Sequence, residues 1–127
     1  MTSTSKILIA AIAGAVLGAA GIHALYAQAS PKAYTVTELE TLNPTLAADF
    51  AARVTKLQEV AGGRNLRTGG GKVVGMEGPS PAQRVAITEW DSLEKAQAFF
   101  KSKEWADLGP DREKALKTIR RYAVEQR

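Results

Sequence analysis

The sequence predicts a small α+β domain with the element order β-α-β-β-α-β, placed after an N-terminal export segment. Two segments rich in β-branched and aromatic residues, Ala33–Leu39 and Arg84–Trp90, have the composition of strands. Each is followed by an apolar stripe at helical spacing with a helix-start signal in front of it. The 127 residues, 45% hydrophobic and 24% charged, have the size and composition of one globular domain.

Residues 1–29 are predicted to be a secretory signal peptide. Lys6 supplies one positive charge, and residues 7–22 form an unbroken apolar run, which is the layout of an export signal. The segment Ala27–Ala29 (Ala-Gln-Ala) offers the small residues that a signal peptidase requires. Cleavage after it leaves a domain that starts at Ser30.

The alternative to a cleaved signal is an uncleaved anchor in the inner membrane. Residues 7–25 approach the roughly 20 apolar residues that span a bilayer. A membrane partner is therefore expected only if the signal stays attached. In both cases the domain of residues 30–127 lies outside the cytoplasm, and a bacterial periplasm is the expected location.

The first helix has the clearest boundaries in the sequence. Asn43 is predicted as its N-cap and Pro44 as its first residue, where the missing N–H costs nothing. Gly62-Gly63 marks its end. The apolar stripe between these signals consists of Leu46, Phe50, Val54, Leu57 and Ala61.

Between this helix and Arg84, the sequence predicts two short strand-like runs, Arg64–Thr68 and Lys72–Glu77. Three consecutive glycines separate them and indicate a bend, because glycine does not hold a regular strand. The strand Arg84–Trp90 carries apolar groups on both of its faces, so neither face is expected to be fully solvated.

The second half of the chain is predicted to contain one more helix, a short turn, a charged helical segment and a final strand. Asp91 is predicted to cap the helix together with Glu94, as in a capping box. Ser102 starts the turn, and Gly109-Pro110 breaks it. The apolar stripe of the helix consists of Leu93, Ala96, Phe99 and Phe100. The charged helical segment is predicted at Asp111–Lys117 and the final strand at Thr118–Glu125.

This order is that of the ferredoxin-like, split βαβ fold, in which a four-stranded antiparallel sheet carries its helices on one face. Five segments of the chain are also similar to those of a known family: Ala33–Val36, Gly62–Arg64, Arg67–Gly70, Arg84–Ala96 and Ser102–Trp105. Over about Lys32–Glu125 the chain resembles the uncharacterised family DUF1330, a domain of unknown function within the dimeric α/β-barrel group. The resemblance implies two chains joined through their sheets and no established activity.

Several kinds of chemistry are excluded by composition. The only histidine is His23, inside the predicted signal, and the chain has no cysteine. The domain therefore lacks the residues for a Ser-His-Asp triad, a Cys-His pair, a His-ligated haem or an ordinary zinc site, and neither a metal nor a cofactor is expected. The net charge of +4 is too small to indicate a nucleic-acid partner.

Seven residues form a candidate cleft for a small molecule: Tyr34, Glu38, Arg64, Arg67, Lys72, Glu89 and Trp90. The aromatic and basic members suit a flat or anionic ligand, although core packing, dimer packing and ion pairing explain them as well. A carboxylate of Glu38 or Glu89 in a partly buried cleft would have a raised pKa and act as an acid or base. Antiparallel pairing is expected to place these two carboxylates toward opposite ends of the sheet.

Two functions therefore stay open. The first is an exported homodimer that binds a ligand or serves a structural role without catalysis. The second is a cofactor-independent enzyme, monooxygenase-like or isomerase-like, acting on a small organic molecule. The sequence supplies no recognised nucleophile, base or metal site, and this favours the first function. The charged residues near the C-terminus are interpreted as a solvated face, and they are Glu113, Lys114, Lys117, Arg120 and Arg121.

Overall fold

A computed structural model describes residues 30–127, so the predicted signal segment, residues 1–29, lies outside the described residues. The elements follow in the order β1 (Ala33–Thr41), α1 (Pro44–Val60), β2 (Gly63–Asn65), β3 (Arg84–Trp90), α2 (Leu93–Phe100), α3 (Lys103–Asp107), α4 (Gly109–Ala115) and β4 (Leu116–Glu125). This is the predicted order, in which the turn predicted from Ser102 forms α3 and the predicted charged helical segment forms α4. No helix in residues 30–127 is long and apolar enough to cross a membrane.

The four strands form one antiparallel sheet in the order β2-β3-β1-β4, which confirms the ferredoxin-like prediction. Burial alternates along β1, where Ala33, Thr35 and Thr37 are buried beneath the helices and Tyr34 and Val36 point to the other side. We call the two sides the helix face and the open face. From the strand register, the open face consists of Tyr34, Val36, Glu38, Arg64, Val85, Ile87, Glu89, Arg120, Tyr122 and Val124.

The helix N-termini match the sequence signals at two positions and differ at one. Asn43 caps α1 by accepting a hydrogen bond from the Leu46 N–H at 3.0 Å, and Ser102 likewise caps α3. The prediction that Asp91 caps α2 is wrong, because the Ser92 hydroxyl accepts the hydrogen bond from the Lys95 N–H instead. The Asp91 carboxylate is engaged by Arg64 at 3.0 Å.

The chain between α3 and β4 differs from the prediction in its boundaries. Gly109-Pro110 opens α4 and does not lie between elements, since a proline in the first helical turn loses no hydrogen bond. The helix ends at Ala115, where the carbonyl oxygen accepts from the Leu42 N–H at 2.9 Å. Strand β4 consequently starts at Leu116, opposite Thr41, two residues earlier than predicted.

The predicted strand at Lys72–Glu77 does not form, and β2 stops at Asn65. The Asn65 side chain accepts a hydrogen bond from the Arg67 N–H at 2.7 Å, and Arg67 has a left-handed φ of 59°. Backbone pairing with β3 ends just after β2, where the Leu66 N–H donates to the Ile87 carbonyl at 3.0 Å. The Thr68 hydroxyl then accepts from the Ile87 N–H and donates to a β3 carbonyl, so a side chain satisfies the β3 edge where a longer β2 would have paired.

The core is built around five aromatic side chains, which we call the aromatic cluster: Phe50, Trp90, Phe99, Phe100 and Trp105. Trp90 is fully buried, and its indole N–H donates to the Thr35 hydroxyl at 3.0 Å. Neighbouring ring centres lie between 4.9 and 6.3 Å apart. Each such pair contributes about 0.5–1.5 kcal/mol beyond the burial of its area. The cluster therefore fixes α2 and α3 against the sheet.

Replacing Gly63 by Ala is expected to destabilise the fold by about 1–3 kcal/mol, through overpacking. A Cβ at this position would lie 3.0 Å from two ring atoms of Trp90 and 3.1 Å from the Thr88 methyl, and both of these side chains are buried. Urea denaturation measures the change.

Gly70→Ala is the matched control, because a Cβ there meets nothing within 4 Å. Its free energy of unfolding should stay within about 1 kcal/mol of the wild type. Equal stability of the two variants would contradict the packing of β2 against the Trp90 ring.

Candidate functional site

A cavity of about 650 Å³ lies between α1 and the helix face of the sheet. Its volume falls within the roughly 300–1,000 Å³ of pockets that bind small molecules. Strands β1 and β3 form one wall, α1 forms the opposite wall, and the aromatic cluster closes one end. The principal lining side chains are Thr35, Thr37, Leu39, Ala47, Phe50, Ala51, Val54, Gln58, Ala86, Thr88, Phe100, Trp105, Arg112, Leu116 and Arg121.

The wall formed by the sheet is polar, and its groups are already hydrogen-bonded. The Thr88 hydroxyl donates to the Gln58 side-chain oxygen at 3.3 Å, and both residues are buried. The Thr35 hydroxyl accepts from Trp90. Because these hydroxyls already have hydrogen-bond partners inside the domain, the sheet wall does not require polar groups from a ligand.

Arg121 lies at the end of the cavity next to the aromatic cluster. Its Nε donates to the Thr37 hydroxyl at 3.0 Å, and its guanidinium carbon lies 4.7 Å from the ring centres of both Phe100 and Trp105. This is the geometry of a cation–π contact. Burial, and secondarily the positive charge of Arg112, lower the pKa of Arg121 to about 10, so the side chain is still cationic at neutral pH.

Arg112 packs on the same indole, with its guanidinium carbon 4.3 Å from the Trp105 ring centre. Its Nη1 is buried and has no hydrogen-bond partner. None of the ion pairs among residues 30–127 includes Arg112 or Arg121. The cavity therefore ends in two arginine side chains whose charges no carboxylate of the described chain neutralises.

The predicted cleft is divided between different parts of the molecule. Arg64 and Arg67 border the cavity, but the Arg64 guanidinium pairs with carboxylates at the sheet edge. Trp90 is fully buried in the core. Lys72 is exposed on the loop between β2 and β3 and does not line the cavity. The three other predicted residues lie on the open face, and they are Tyr34, Glu38 and Glu89.

The two candidate carboxylates form ion pairs at separate places on the open face. Glu89 accepts from Lys32 at 2.9 Å and from Arg64 at 2.7 Å, and these contacts, Lys32 first, lower the pKa of Glu89. That direction is opposite to the raised pKa that a general acid requires. Glu38 pairs with Arg120, and the register places Glu38 four residues along β1 from the residue opposite Glu89.

The sequence interpretation missed Arg121 because it assigned the charged C-terminal stretch to a solvated face. One signal was available, since alternation along β4 puts Arg121 on the side of Ala123 and opposite to Arg120 and Tyr122. Among residues 30–127, the structure brings together no group of three or more His, Cys, Asp or Glu side chains suited to a metal ion.

The sheet order and the covered helix face place the protein in the class of ferredoxin-like α+β domains, here with an internal cavity. A family model matches residues 32–126, nearly all of the described chain. The protein belongs to that family, DUF1330, whose description is a domain of unknown function. A search of curated proteins finds no match.

Solved structures with similar folds share little sequence with this chain. A crystal structure of a protein of unknown function from Rhodopseudomonas palustris aligns with a TM-score of 0.61 and 13% identity, over 77% of this chain and 84% of that chain. This likeness supports the fold alone. A conserved protein from Methanosarcina mazei aligns with a TM-score of 0.47 and 17% identity, over 80% and 99% of the two chains.

A third structure, from Chloroflexus aurantiacus, is provisionally named an antibiotic biosynthesis monooxygenase. It aligns with a TM-score of 0.40 and 16% identity, over 75% of this chain and 93% of that chain. Likenesses this distant carry no information about activity, because one fold serves many functions.

Proposed function

We propose that the domain is an exported binding protein whose cavity holds a small organic molecule. The observation that carries this proposal is the cavity of about 650 Å³, with its polar sheet wall, its largely apolar helix wall and, at one end, the stacked arginines Arg112 and Arg121, which have no carboxylate partner. Protein interiors are close-packed, so a purely structural domain has no need for a space of this size beneath its main helix. A few placed polar groups among apolar walls are typical of ligand pockets.

The cavity favours binding over catalysis. Among the described residues that line it, one carries a carboxylate, Glu59, and the sequence places no histidine or cysteine after His23. The carboxylates of Glu38 and Glu89 lie on the other face of the sheet. A cofactor-independent enzyme needs a base within hydrogen-bond reach of its substrate, and these two candidates are on the wrong side.

Ala51→Phe is expected to abolish or weaken binding by at least about tenfold, equivalent to about 1.4 kcal/mol. Ala51 borders the cavity from α1, and its exposed side chain leaves room for a phenyl ring to extend into the empty volume. The measurement is fluorescence titration with the neutral apolar dye N-phenyl-1-naphthylamine.

Ala52→Phe serves as the control, because Ala52 is the next exposed residue of the same helix and does not line the cavity. It should bind the dye like the wild type. Failure of the wild type to bind any small apolar probe, or equal binding by both variants, would remove the support for the proposed function.

We also propose that a second copy of the chain covers the open face. The helices occupy the other side of the sheet, while the open face carries six apolar side chains: Tyr34, Val36, Val85, Ile87, Tyr122 and Val124. Of these, Tyr122 is 45% exposed and Val124 is 52% exposed. Soluble monomers rarely leave large contiguous apolar patches in water, and a two-fold symmetric dimer lets one self-complementary patch serve both subunits.

Val124→Asp is expected to convert the dimer into a monomer, because it would bury two carboxylates at the interface without partners. Val60→Asp is the matched control, since Val60 is 90% exposed at the end of α1 and lies away from the open face. Light scattering at micromolar concentration gives the mass of each form. A monomeric wild-type protein would refute the dimer.

The export proposal concerns residues 1–29 and rests on the Lys6 charge, the apolar run and the segment Ala27–Ala29. Expression in a Gram-negative host should yield a periplasmic protein that begins at Ser30. N-terminal sequencing of the fractionated cells decides this. Full-length chain in the membrane fraction would instead establish the anchor formed by residues 7–25.

A further inference from the structure

We propose that the ligand of the cavity is an organic carboxylate, with its carboxylate bound by Arg121 and Arg112 and its apolar body packed against α1. This inference rests on the proposed function and specifies the chemical class of the ligand. The basic residues expected from the sequence were Arg64, Arg67 and Lys72. The pair proposed here is different and lies at the opposite end of the cavity from Arg64 and Arg67.

The side chain of Arg121 is held in one orientation by its neighbours. Its Nε is held by the Thr37 hydroxyl at 3.0 Å, and its plane is supported by the rings of Phe100 and Trp105. These contacts fix the guanidinium and leave its two terminal nitrogens without an ion-pair partner in residues 30–127. Two parallel N–H groups in that arrangement match the two oxygens of a carboxylate.

Two positive charges lie close together at this end of the cavity. Arg112 and Arg121 contact the same indole ring of Trp105, so two like charges share a partly buried environment. The lowered pKa of Arg121 reflects this cost, with burial as the larger cause and the Arg112 charge as the smaller. The buried Nη1 of Arg112 also lacks any hydrogen-bond partner. A bound anion relieves both penalties, whereas a neutral acceptor relieves only the missing hydrogen bond and a cation relieves neither.

Arg112 and Arg121 differ from the other arginines that line the cavity. Arg64 is already neutralised by Glu89 at 2.7 Å and Asp91 at 3.0 Å. Arg67 and Arg84 also line the cavity without an ion pair, but the structure gives neither of them an aromatic contact. Among the arginines that line the cavity, Arg112 and Arg121 are therefore the two that lack a carboxylate partner and are also held in place by an aromatic ring. That end of the cavity is where an external carboxylate is accommodated.

Apolar side chains line the part of the cavity that would hold the rest of the ligand. Phe50 and Val54 of α1 and Ala86 of β3 line the cavity between its two walls and offer apolar surface. Their packing favours an aryl or alkyl body over a sugar or a nucleotide, whose polar groups would be left unpaired. The class is therefore a monocarboxylate with an apolar chain or ring, for which 4-phenylbutyrate is a simple probe.

The test compares 4-phenylbutyrate with its neutral amide by calorimetric titration of the protein as processed by the host. The wild type should bind the acid at least about tenfold more tightly than the amide, as expected for charged hydrogen bonds. Arg121→Gln should abolish that preference. Lys114→Gln removes the same charge from an exposed position of α4 and should retain the preference.

If Arg121→Gln does not fold, Arg112→Gln and Arg121→Lys provide the same test, because one removes the second cation and the other removes the forked donor while keeping a charge. Circular dichroism establishes folding in each case. Equal binding of acid and amide by the wild type, or an unchanged preference in the folded arginine variants, overturns the inference. Dye binding in the cavity would then still support the proposed function, whereas loss of all binding would remove both.

Discussion

The contacts of Trp105 hold the molecule together and also shape its cavity. The centre of its indole ring lies 4.9 Å from the ring centre of Phe100 and 5.6 Å from that of Phe99. These contacts join α3 to α2 within the aromatic cluster. The same ring carries the guanidinium groups of Arg112 and Arg121. Because aromatic faces attract cations, one side chain both closes the core and keeps two charges at the end of a cavity. Loss of this ring would therefore alter stability and the electrostatics of the site together.

The sheet separates two kinds of electrostatic environment. On the open face, Glu38 and Glu89 pair with basic side chains. On the helix face, arginines are stacked and hydrogen-bonded but not neutralised. Arg120 and Arg121 show the contrast at consecutive positions of β4, since Glu38 raises the pKa of Arg120 whereas burial lowers that of Arg121. The two-residue period of a strand is enough to produce it.

Local signals predicted the elements whose formation depends on neighbours in sequence. Strand β3 was predicted at its observed bounds, the cap Asn43 was predicted correctly, and the turn predicted to start at Ser102 is a short helix, because an N-cap acts within three residues. The cap at Asp91 was wrong because a distant residue, Arg64, engages that carboxylate. Strand β2 also ends earlier than the predicted run Arg64–Thr68, since the Thr68 side chain occupies the β3 edge that its last residues would have joined.

The sequence alone determined the α+β class, the order of the main elements and the lack of histidine and cysteine after His23, because composition and periodicity are local properties. Only the tertiary structure decided which strand residues face the cavity. Alternation assigns side chains to two faces, but the face that the helices cover depends on long-range packing. The contacts of Arg121 show this, as it meets Thr37 across 84 positions of the chain on a β4 strand placed beside β1.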